Sequence, residues 1–184
     1  MITINRAGPA VIQADTPALW QLYRECFAGP PWCEPEARLA GFPDQLRRQT
    51  SHPGAGGFLA RDGSTLVGAI YGRPAPATPP QGTDFDRAVA GAASSSAVLT
   101  TPALVVAELM VAATHRRQGI AARMLSAYTP DAPAAWLVTH RDGGAPAFYR
   151  RQRWWQDAAF TSGGVPMLLY TWPPETAEEL HPAR

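Results

Sequence analysis

The spacing of apolar and polar positions in the first part of the chain predicts two helices and three strands. The hydroxyl of Thr16 followed by Pro17 is a start signal for a helix, and apolar side chains then recur at every third or fourth position up to Phe27. Asp62-Gly63 between two apolar runs is a strong hairpin signal. The predicted elements are a strand at 10–13, a helix from Thr16 to Phe27, a helix at 34–48 broken or kinked near Pro43, and hairpin strands at 57–61 and 65–72.

A nearly all-apolar run at residues 103–112 predicts a central strand that is covered on both faces, and one carboxylate, Glu108, interrupts it. A helix and another strand follow, and the order strand, helix, strand implies a parallel pair. The remaining predicted elements are a helix at 119–128, a strand at 135–139, a helix capped by Asp142 that runs through Tyr149, and hairpin strands at 154–161 and 165–172.

The composition changes in two segments. Residues 73–97 are rich in Pro, Ala, Gly and Ser without a regular period, which predicts a flexible surface loop with one short helical turn. The tail after residue 173 is polar and is predicted to be loose. With 184 residues and 46% hydrophobic content, the chain has enough apolar surface for one well-buried core. It is therefore predicted to be one α/β domain, residues 1–184, with a mixed sheet.

Charge and composition exclude several functions. The net charge is +1, from 16 basic and 15 acidic residues, so no broad field attracts nucleic acid. No stretch approaches the roughly 18 apolar residues of a membrane span, so no membrane partner and a cytoplasmic location are expected. The chain contains no lysine, which excludes a lysine Schiff base and a P-loop lysine. It has no HExxH-type cluster, so no metal is expected.

The central strand leads through a basic loop into a helix, and this arrangement is typical of an anion site. Backbone N–H groups at such a helix start point outward with the positive end of the helix dipole. Gly119 and Ala121 would let a phosphate approach the backbone closely. The alternative is a tight turn with solvated arginines. Neither GxGxxG nor GxxxxGK[ST] occurs, so the dinucleotide and P-loop fingerprints are missing.

In this context the sequence resembles the GNAT superfamily of acyl-CoA-dependent N-acetyltransferases. Their pyrophosphate loop is Gln or Arg, two residues, Gly, one residue, then Gly or Ala, and Arg116, Gly119 and Ala121 match it. The resemblance implies a mixed, mostly antiparallel sheet flanked by helices, with a splayed central parallel pair. It also implies acetyl-CoA or another acyl-CoA as cofactor, bound by Met110, Val111, Arg116, Arg117, Gln118, Gly119, Ile120, Ala121, Asp142 and Phe148.

A second segment is similar to the family pattern Asn-x-x-Ala-x-x-Phe-Tyr-x-x-x-Gly-Phe. Its matching residues are Asp142, Ala145, Phe148, Tyr149 and Trp154. Asp142 replaces the usual Asn, and Arg153 replaces the usual Gly, which puts the turn between helix and strand in doubt. Upstream, Tyr23, Phe27 and Pro30-Pro31-Trp32 with Glu34 are similar to the first helix and the following loop of many members.

The resemblance implies direct attack of an acceptor amine on the thioester while backbone N–H groups of the splayed strand hold the oxyanion. Tyr149 lies at the family's tyrosine position and is the candidate general acid, with a packing role as the alternative. Glu108 is the candidate base, because desolvation in the strand would raise its pKa. An ion pair with an arginine, a water relay, and His140 at the end of the next strand remain alternatives.

Trp32 and Glu34 are candidate residues of the acceptor pocket, where an indole would pack on the substrate and a carboxylate would attract an ammonium. The alternative is a loop packed on the core. The expected partner is a small-molecule amine, and the sequence leaves a homodimer open. Two other functions stay open: transfer from a carrier protein or to a peptide amine, and a regulatory domain that binds CoA without turnover.

Overall fold

The computed structural model describes residues 1–172, which form seven strands in one mixed sheet with flanking helices. The strands are β1 (Ile2–Ala7), β2 (Gly56–Asp62), β3 (Thr65–Pro74), β4 (Leu104–Val111), β5 (Ala135–His140), β6 (Trp155–Ser162) and β7 (Val165–Trp172). The helices are α1 (Pro9–Ala14), α2 (Thr16–Phe27), α3 (Glu36–Ala40), α4 (Phe42–Thr50), α5 (Asp84–Ala92), α6 (Ile120–Tyr128) and α7 (Ala145–Arg151).

The strand order is β1-β2-β3-β4-β5-β7-β6. Strands β4 and β5 run parallel, with Leu104 opposite Ala135 and Val105 opposite Trp136. The pairs β1–β2, β2–β3, β5–β7 and β6–β7 are antiparallel. The predicted fold, a mostly antiparallel mixed sheet with a central parallel pair, is confirmed.

The predicted strand at residues 10–13 is wrong, because these residues belong to helix α1. Pro9 occupies the first turn of that helix, where its fixed φ and missing N–H carry no penalty, and Ile12 is completely buried. A run of four apolar residues does not distinguish a strand from a helical turn. The strand at this end of the chain is β1, which pairs with β2 along its whole length.

The start of helix α2 is confirmed at Thr16, but the expected cap is wrong. The Thr16 hydroxyl donates to the Gln13 carbonyl at 2.6 Å, and Asp15 is the N-cap residue. The helix predicted at 34–48 is two helices, α3 and α4, that meet at Gly41. Pro43 lies in the first turn of α4, so the interruption predicted near Pro43 is a break with a new helix start.

The segment 73–97 is more helical than predicted. Its helix α5 starts with a capping box, in which the Thr83 hydroxyl accepts from the Asp86 N–H and the Asp86 carboxylate accepts from the Thr83 N–H. A 3₁₀ turn at Ser96–Leu99 follows. The predicted loose tail after residue 173 lies outside the described residues.

Two compact units divide the chain. Residues 1–73 and 106–130 form the first, in which α1 and α2 pack on α4, and α6 packs on β2. Its largest fully buried side chains are Ile12, Leu19, Tyr23, Phe42, Leu46, Ile70, Tyr71, Met110, Ile120 and Met124. The tight packing of these side chains provides the rigid frame on which the end of β4 and the start of α6 rest.

Among the described residues, the second unit contains 74–105 and 131–172. Helix α5 packs against β6, and the 3₁₀ turn packs against β5. Its buried core contains Ala75, Val89, Val98, Leu99, Ala103, Val105, Trp136 and Leu169. The Ser94 N–H donates to the Asp157 carboxylate at 2.9 Å and ties the end of α5 to β6. None of the helices within residues 1–172 has the length and apolar character needed to cross a membrane.

Candidate active site

The loop before α6 forms a cradle of backbone N–H groups. Gly119 is the N-cap of α6 with φ 76°, and Arg117 also has a left-handed backbone with φ 60°. The first hydrogen bond at the start of the helix runs from the Arg123 N–H to the Gly119 carbonyl at 3.0 Å. The N–H groups between them therefore precede the helical ladder, at the positive end of the helix dipole.

The space in front of Gly119 suits a phosphate group. A Cβ placed on Gly119 would meet no protein atom within 4 Å, so the backbone faces open space there. The Ile120 side chain, in contrast, is 1% exposed and anchors the first turn of α6 in the core. An N–H cradle at a fixed helix start with an open front fits a pyrophosphate, which is the group the resemblance predicts here.

Two side chains stabilise the shape of the loop through hydrogen bonds near the end of β4. The Arg116 Nε donates to the Val111 carbonyl at 3.2 Å, and the Ala113 N–H donates to the Glu25 carboxylate at 2.5 Å. The guanidinium of Arg116 thus turns back onto the end of β4. We therefore expect the backbone geometry at Gly119 to matter more for anion binding than the charge of Arg116.

In the first unit, a hydrogen bond and electrostatic interactions link Glu108 of β4 to four polar side chains from α2, α4 and the segment around α3. We name the five residues the carboxylate cluster: Tyr23, Glu34, Arg38, Gln45 and Glu108. The Gln45 amide donates to Glu108 Oε1 at 3.0 Å. The Tyr23 hydroxyl donates to Glu34 Oε2 at 2.7 Å, and Arg38 Nε lies 3.4 Å from Glu34 Oε1. The structure therefore places the predicted base Glu108 in one cluster with the predicted pocket residue Glu34.

The environment of Glu108 raises the pKa of its carboxyl from the ordinary 4.5 to about 8. Burial is the largest cause, and the negative charge of Glu34 adds to it. Arg38 and the hydrogen bond from Gln45 act in the opposite direction. The residue as a whole still keeps part of its surface exposed. A buried carboxyl whose pKa lies near 8 is suited to accept a proton.

The raised pKa has a consequence for stability. Folded Glu108 keeps its proton up to about pH 8, whereas the unfolded chain releases it near the ordinary 4.5. The folded state binds more protons in this window, so its stability falls as pH rises from about 5 to 8. We expect Glu108→Gln to remove this fall. Urea unfolding of both proteins at pH 5 and pH 8 measures it, and parallel pH dependences in the two would contradict the shifted pKa.

An aromatic wall lines one side of the carboxylate cluster. The Tyr23 ring lies 4.3 Å from Phe42 and 4.4 Å from Phe27, between ring centroids. Trp32 packs edge-on against Phe27 at 5.2 Å and is half-buried. The predicted pocket residue Trp32 is thus next to the cluster through Phe27, while its contact with a substrate stays a prediction.

In the second unit, Tyr149 lies on α7 in an aromatic group and is 7% exposed. Its ring centroid lies 5.2 Å from Phe148, 5.6 Å from Tyr170 and 6.0 Å from Trp154. The turn after α7 keeps the backbone that glycine usually provides, because Arg153 itself adopts φ 62°. The departure from the family pattern at this position therefore leaves the turn in place.

The predicted cap at Asp142 is wrong. Helix α7 begins at Ala145 with Gly144 as its N-cap, so Asp142 lies too far from the first turn to cap it. The Asp142 N–H donates instead to Nδ1 of His140 at 3.0 Å, and its carboxylate lies 3.4 Å from Arg141. The role of Asp142 in cofactor binding stays a prediction.

Sequence reasoning missed four residues of the candidate site: Tyr23, Arg38, Gln45 and Tyr71. Tyr23 lies on α2, Arg38 on α3 and Gln45 on α4. Tyr71 lies in the apolar strand β3, next to the strand β4 that carries Glu108, and both Glu108 and Tyr23 raise its pKa. No local pattern marks these residues, because their role depends on contacts with Glu108 or Glu34 from distant parts of the chain.

Comparisons with known proteins agree with this architecture. The family model described as the acetyltransferase (GNAT) family matches residues 16–153. Among solved structures, a GNAT-family protein from Desulfovibrio desulfuricans is similar, with a TM-score of 0.66, 12% identity, and coverage of 93% of this chain and 98% of that chain. An acetyltransferase from Thermus thermophilus has a TM-score of 0.60 and 17% identity, over 93% of this chain and 97% of its own.

The PaiA N-acetyltransferase of Thermoplasma acidophilum, in complex with coenzyme A, has a TM-score of 0.59 and 13% identity, over 92% and 98% of the two chains. At such identities these structures show a shared fold. Comparison with curated protein sequences found no match. The fold and the family match are those of the acyl-CoA-dependent acyltransferases. The family match covers most of the chain, which therefore belongs to the GNAT family of acetyltransferases.

Proposed function

We propose that the protein transfers an acetyl group from acetyl-CoA to the primary amine of a small molecule by direct attack. The observation that carries this proposal is the buried carboxyl of Glu108, whose pKa is raised to about 8. It lies on β4, the strand that leads into the N–H cradle before α6. A proton acceptor and a phosphate site on one continuous strand–loop–helix segment suit the transfer of an acyl group from a coenzyme.

On the cofactor side, we assign the residues of the cradle and the end of β4 to CoA binding. The N–H groups after Gly119 would hold the pyrophosphate, and Arg117 and Gln118 are exposed beside it. Met110 and Val111 at the end of β4 would border the acyl group, with backbone N–H groups there holding the oxyanion. Asp142 and Phe148 remain candidate cofactor residues on the resemblance alone. Acetyl-CoA bound there supplies an activated thioester.

On the acceptor side, Glu108 would take the proton of the attacking amine. Glu34 would attract the amine as an ammonium, since its side chain is 9% exposed and carries one ion pair, with the largely exposed Arg38. Trp32 would pack on the body of the substrate. Tyr149 would donate its phenolic proton to the leaving sulfur, whose thiol form has a pKa of about 8.5.

The direct test is release of CoA thiol from acetyl-CoA in the presence of a panel of small amines, with mass spectrometry of the products. The proposal expects an N-acetylated small amine. Acetylation of peptides from a library, but of none of the small amines, would show that the acceptor is a peptide amine. Acetyl-CoA binding without thiol release from any amine would instead indicate a regulatory domain.

We expect Gly119→Val to lower the affinity for acetyl-CoA by more than tenfold. The side chain would project into the open space in front of the cradle, where the pyrophosphate would approach. Calorimetric titration measures the effect. Arg116→Ala should have a smaller effect, because its guanidinium is engaged with the Val111 carbonyl.

Valine at a positive φ is strained wherever it is placed, so a matched control is needed. Gly63, with φ 59° in the β2–β3 turn, also faces open space. Gly63→Val should therefore carry similar strain and keep acetyl-CoA affinity. Wild-type affinity in a folded Gly119→Val protein would count decisively against the cradle as the pyrophosphate site.

A further inference from the structure

The Tyr71 hydroxyl is a buried polar group without a partner. Tyr71 is 1% exposed, and within the described residues its hydroxyl makes no hydrogen bond. A buried hydroxyl left unsatisfied costs free energy, so the position is unfavourable unless the group has a partner in the working protein. The first unit therefore contains, on β3, a buried hydroxyl that is available to a hydrogen-bond partner.

Tyr71 lies near the carboxylate cluster, because β3 is the neighbour of β4, the strand of Glu108, and the Ala112 N–H just after β4 donates to the Val67 carbonyl of β3 at 2.9 Å. Burial raises the pKa of Tyr71 most, and the negative charge of Glu108 and the nearby Tyr23 raise it further, so both groups lie within electrostatic reach. The hydroxyl itself is shielded from solvent. A partner would enter where Glu108 keeps part of its surface exposed.

The hydrogen bonds of the cluster leave a defined set of acceptors. Glu108 Oε1 accepts from Gln45, which leaves Oε2 for a donor from a ligand. Both oxygens of Glu34 are engaged, one with Tyr23 and the other with Arg38. An ammonium has three N–H donors and can bond a carboxylate oxygen and a phenol oxygen at once.

The charges of the cluster select among amines. Two carboxylates, Glu34 and Glu108, face one guanidinium, and the Arg38 side chain is 63% exposed and partly hydrated. An entering ammonium would balance the second carboxylate. A substrate carboxylate next to the amine would instead meet two like charges in a partly desolvated pocket, where repulsion is strong.

Resting on the proposed function, we propose that the acceptor is a primary amine without a carboxylate beside it, and that the Tyr71 hydroxyl binds its ammonium together with Glu108. Decarboxylated amines are then substrates, and the parent α-amino acids are excluded. Tyr71 is a specificity-determining residue of the acceptor site.

Matched pairs of ligands that differ by one carboxylate test the substrate class: phenethylamine with phenylalanine, tryptamine with tryptophan, and isoamylamine with leucine. Each is titrated calorimetrically into the protein at pH 8.5, with and without saturating CoA. In the pair that binds best, we expect the amine to bind at least tenfold more tightly than the amino acid. Equal or tighter binding of the amino acid, or no binding by any member of the three pairs, would overturn the proposal.

Tyr71→Phe tests the residue. It removes one unsatisfied hydroxyl, so the free energy of unfolding should be unchanged or higher, while affinity for the tightest-binding amine falls about tenfold. Affinity for acetyl-CoA should not change. Tyr128→Phe is the matched control, since Tyr128 on α6 is also a tyrosine whose pKa burial raises, and it should bind the amine normally. Wild-type amine affinity in Tyr71→Phe would remove Tyr71 from the site.

These outcomes separate the two proposals. Selective amine binding without any acetyl-CoA binding or thiol release would refute the acetyltransferase proposal and leave the amine site standing. Acetylation of amines and amino acids with equal efficiency would support the acetyltransferase proposal and refute the proposed selectivity for amines without a carboxylate.

Discussion

Glu108→Gln is expected to lower kcat/KM for amine acetylation by about 10²- to 10⁴-fold, the usual range for loss of a positioned general base. The amide keeps the size of the side chain and its position on β4, but it cannot accept a proton at neutral pH. Affinity for acetyl-CoA should remain close to that of the wild type, because the cradle before α6 is unchanged. Steady-state kinetics and a separate acetyl-CoA titration measure the two effects.

The pH profile gives the same residue a second test. The base acts only when ionised, so wild-type kcat/KM should rise with pH through about 8, where the Glu108 carboxyl loses its proton. Glu108→Gln should lack this limb. A limb that persists unchanged in the variant would assign it to the ammonium of the acceptor or to a water relay.

A matched control addresses the loss of charge as such. Glu36 is an exposed glutamate that pairs with Arg24 on the surface. The hydrogen bond from Arg24 lowers the pKa of its carboxyl, whereas burial raises the pKa of Glu108. Glu36→Gln removes one negative charge from the same unit and should keep both kcat/KM and the wild-type pH profile. A comparable loss of activity in both variants would indicate a long-range charge effect rather than a base at Glu108.

The sequence predicted the central part of the fold well, for physical reasons. An apolar strand that runs into a loop with Gly119 before an amphipathic helix has a strong local signature, because the turn requires a left-handed backbone and the helix an apolar stripe. Asp62-Gly63 likewise defines its hairpin locally. The predictions that failed, namely the strand at 10–13 and the caps at Thr16 and Asp142, depended on weak or ambiguous local signals that tertiary packing decides.

The candidate site was predictable only in part. Glu108 stands out in the sequence as a charge inside an apolar strand. Its partners do not, because Gln45 is 63 positions away in the chain and reaches Glu108 through the packing of α4. Tyr71 reads as one more aromatic residue in a buried strand. A polar cluster built from distant elements requires the fold before its members can be recognised, and this holds for Tyr23 and Arg38 as well.

Tyr149→Phe is expected to lower kcat by on the order of tenfold to a thousandfold and to leave acetyl-CoA affinity nearly unchanged. Phenylalanine keeps the ring and its contacts with Phe148, Trp154 and Tyr170, so the aromatic group around α7 should stay intact. The variant loses the hydroxyl that would donate a proton to the leaving sulfur. Tyr170→Phe, in the same aromatic group, is the control for removal of a buried hydroxyl.

Three results of this experiment have distinct meanings. A fall in kcat alone supports proton donation by Tyr149, because the interaction then matters during the reaction and not in ground-state binding. Weaker acetyl-CoA binding at unchanged kcat would instead indicate a ground-state hydrogen bond to the cofactor. Wild-type kcat in Tyr149→Phe would refute the general-acid assignment and leave the tyrosine a packing role, consistent with its 7% exposure among three other aromatic rings. Steady-state kinetics at saturating amine, with an acetyl-CoA titration in parallel, separate the three.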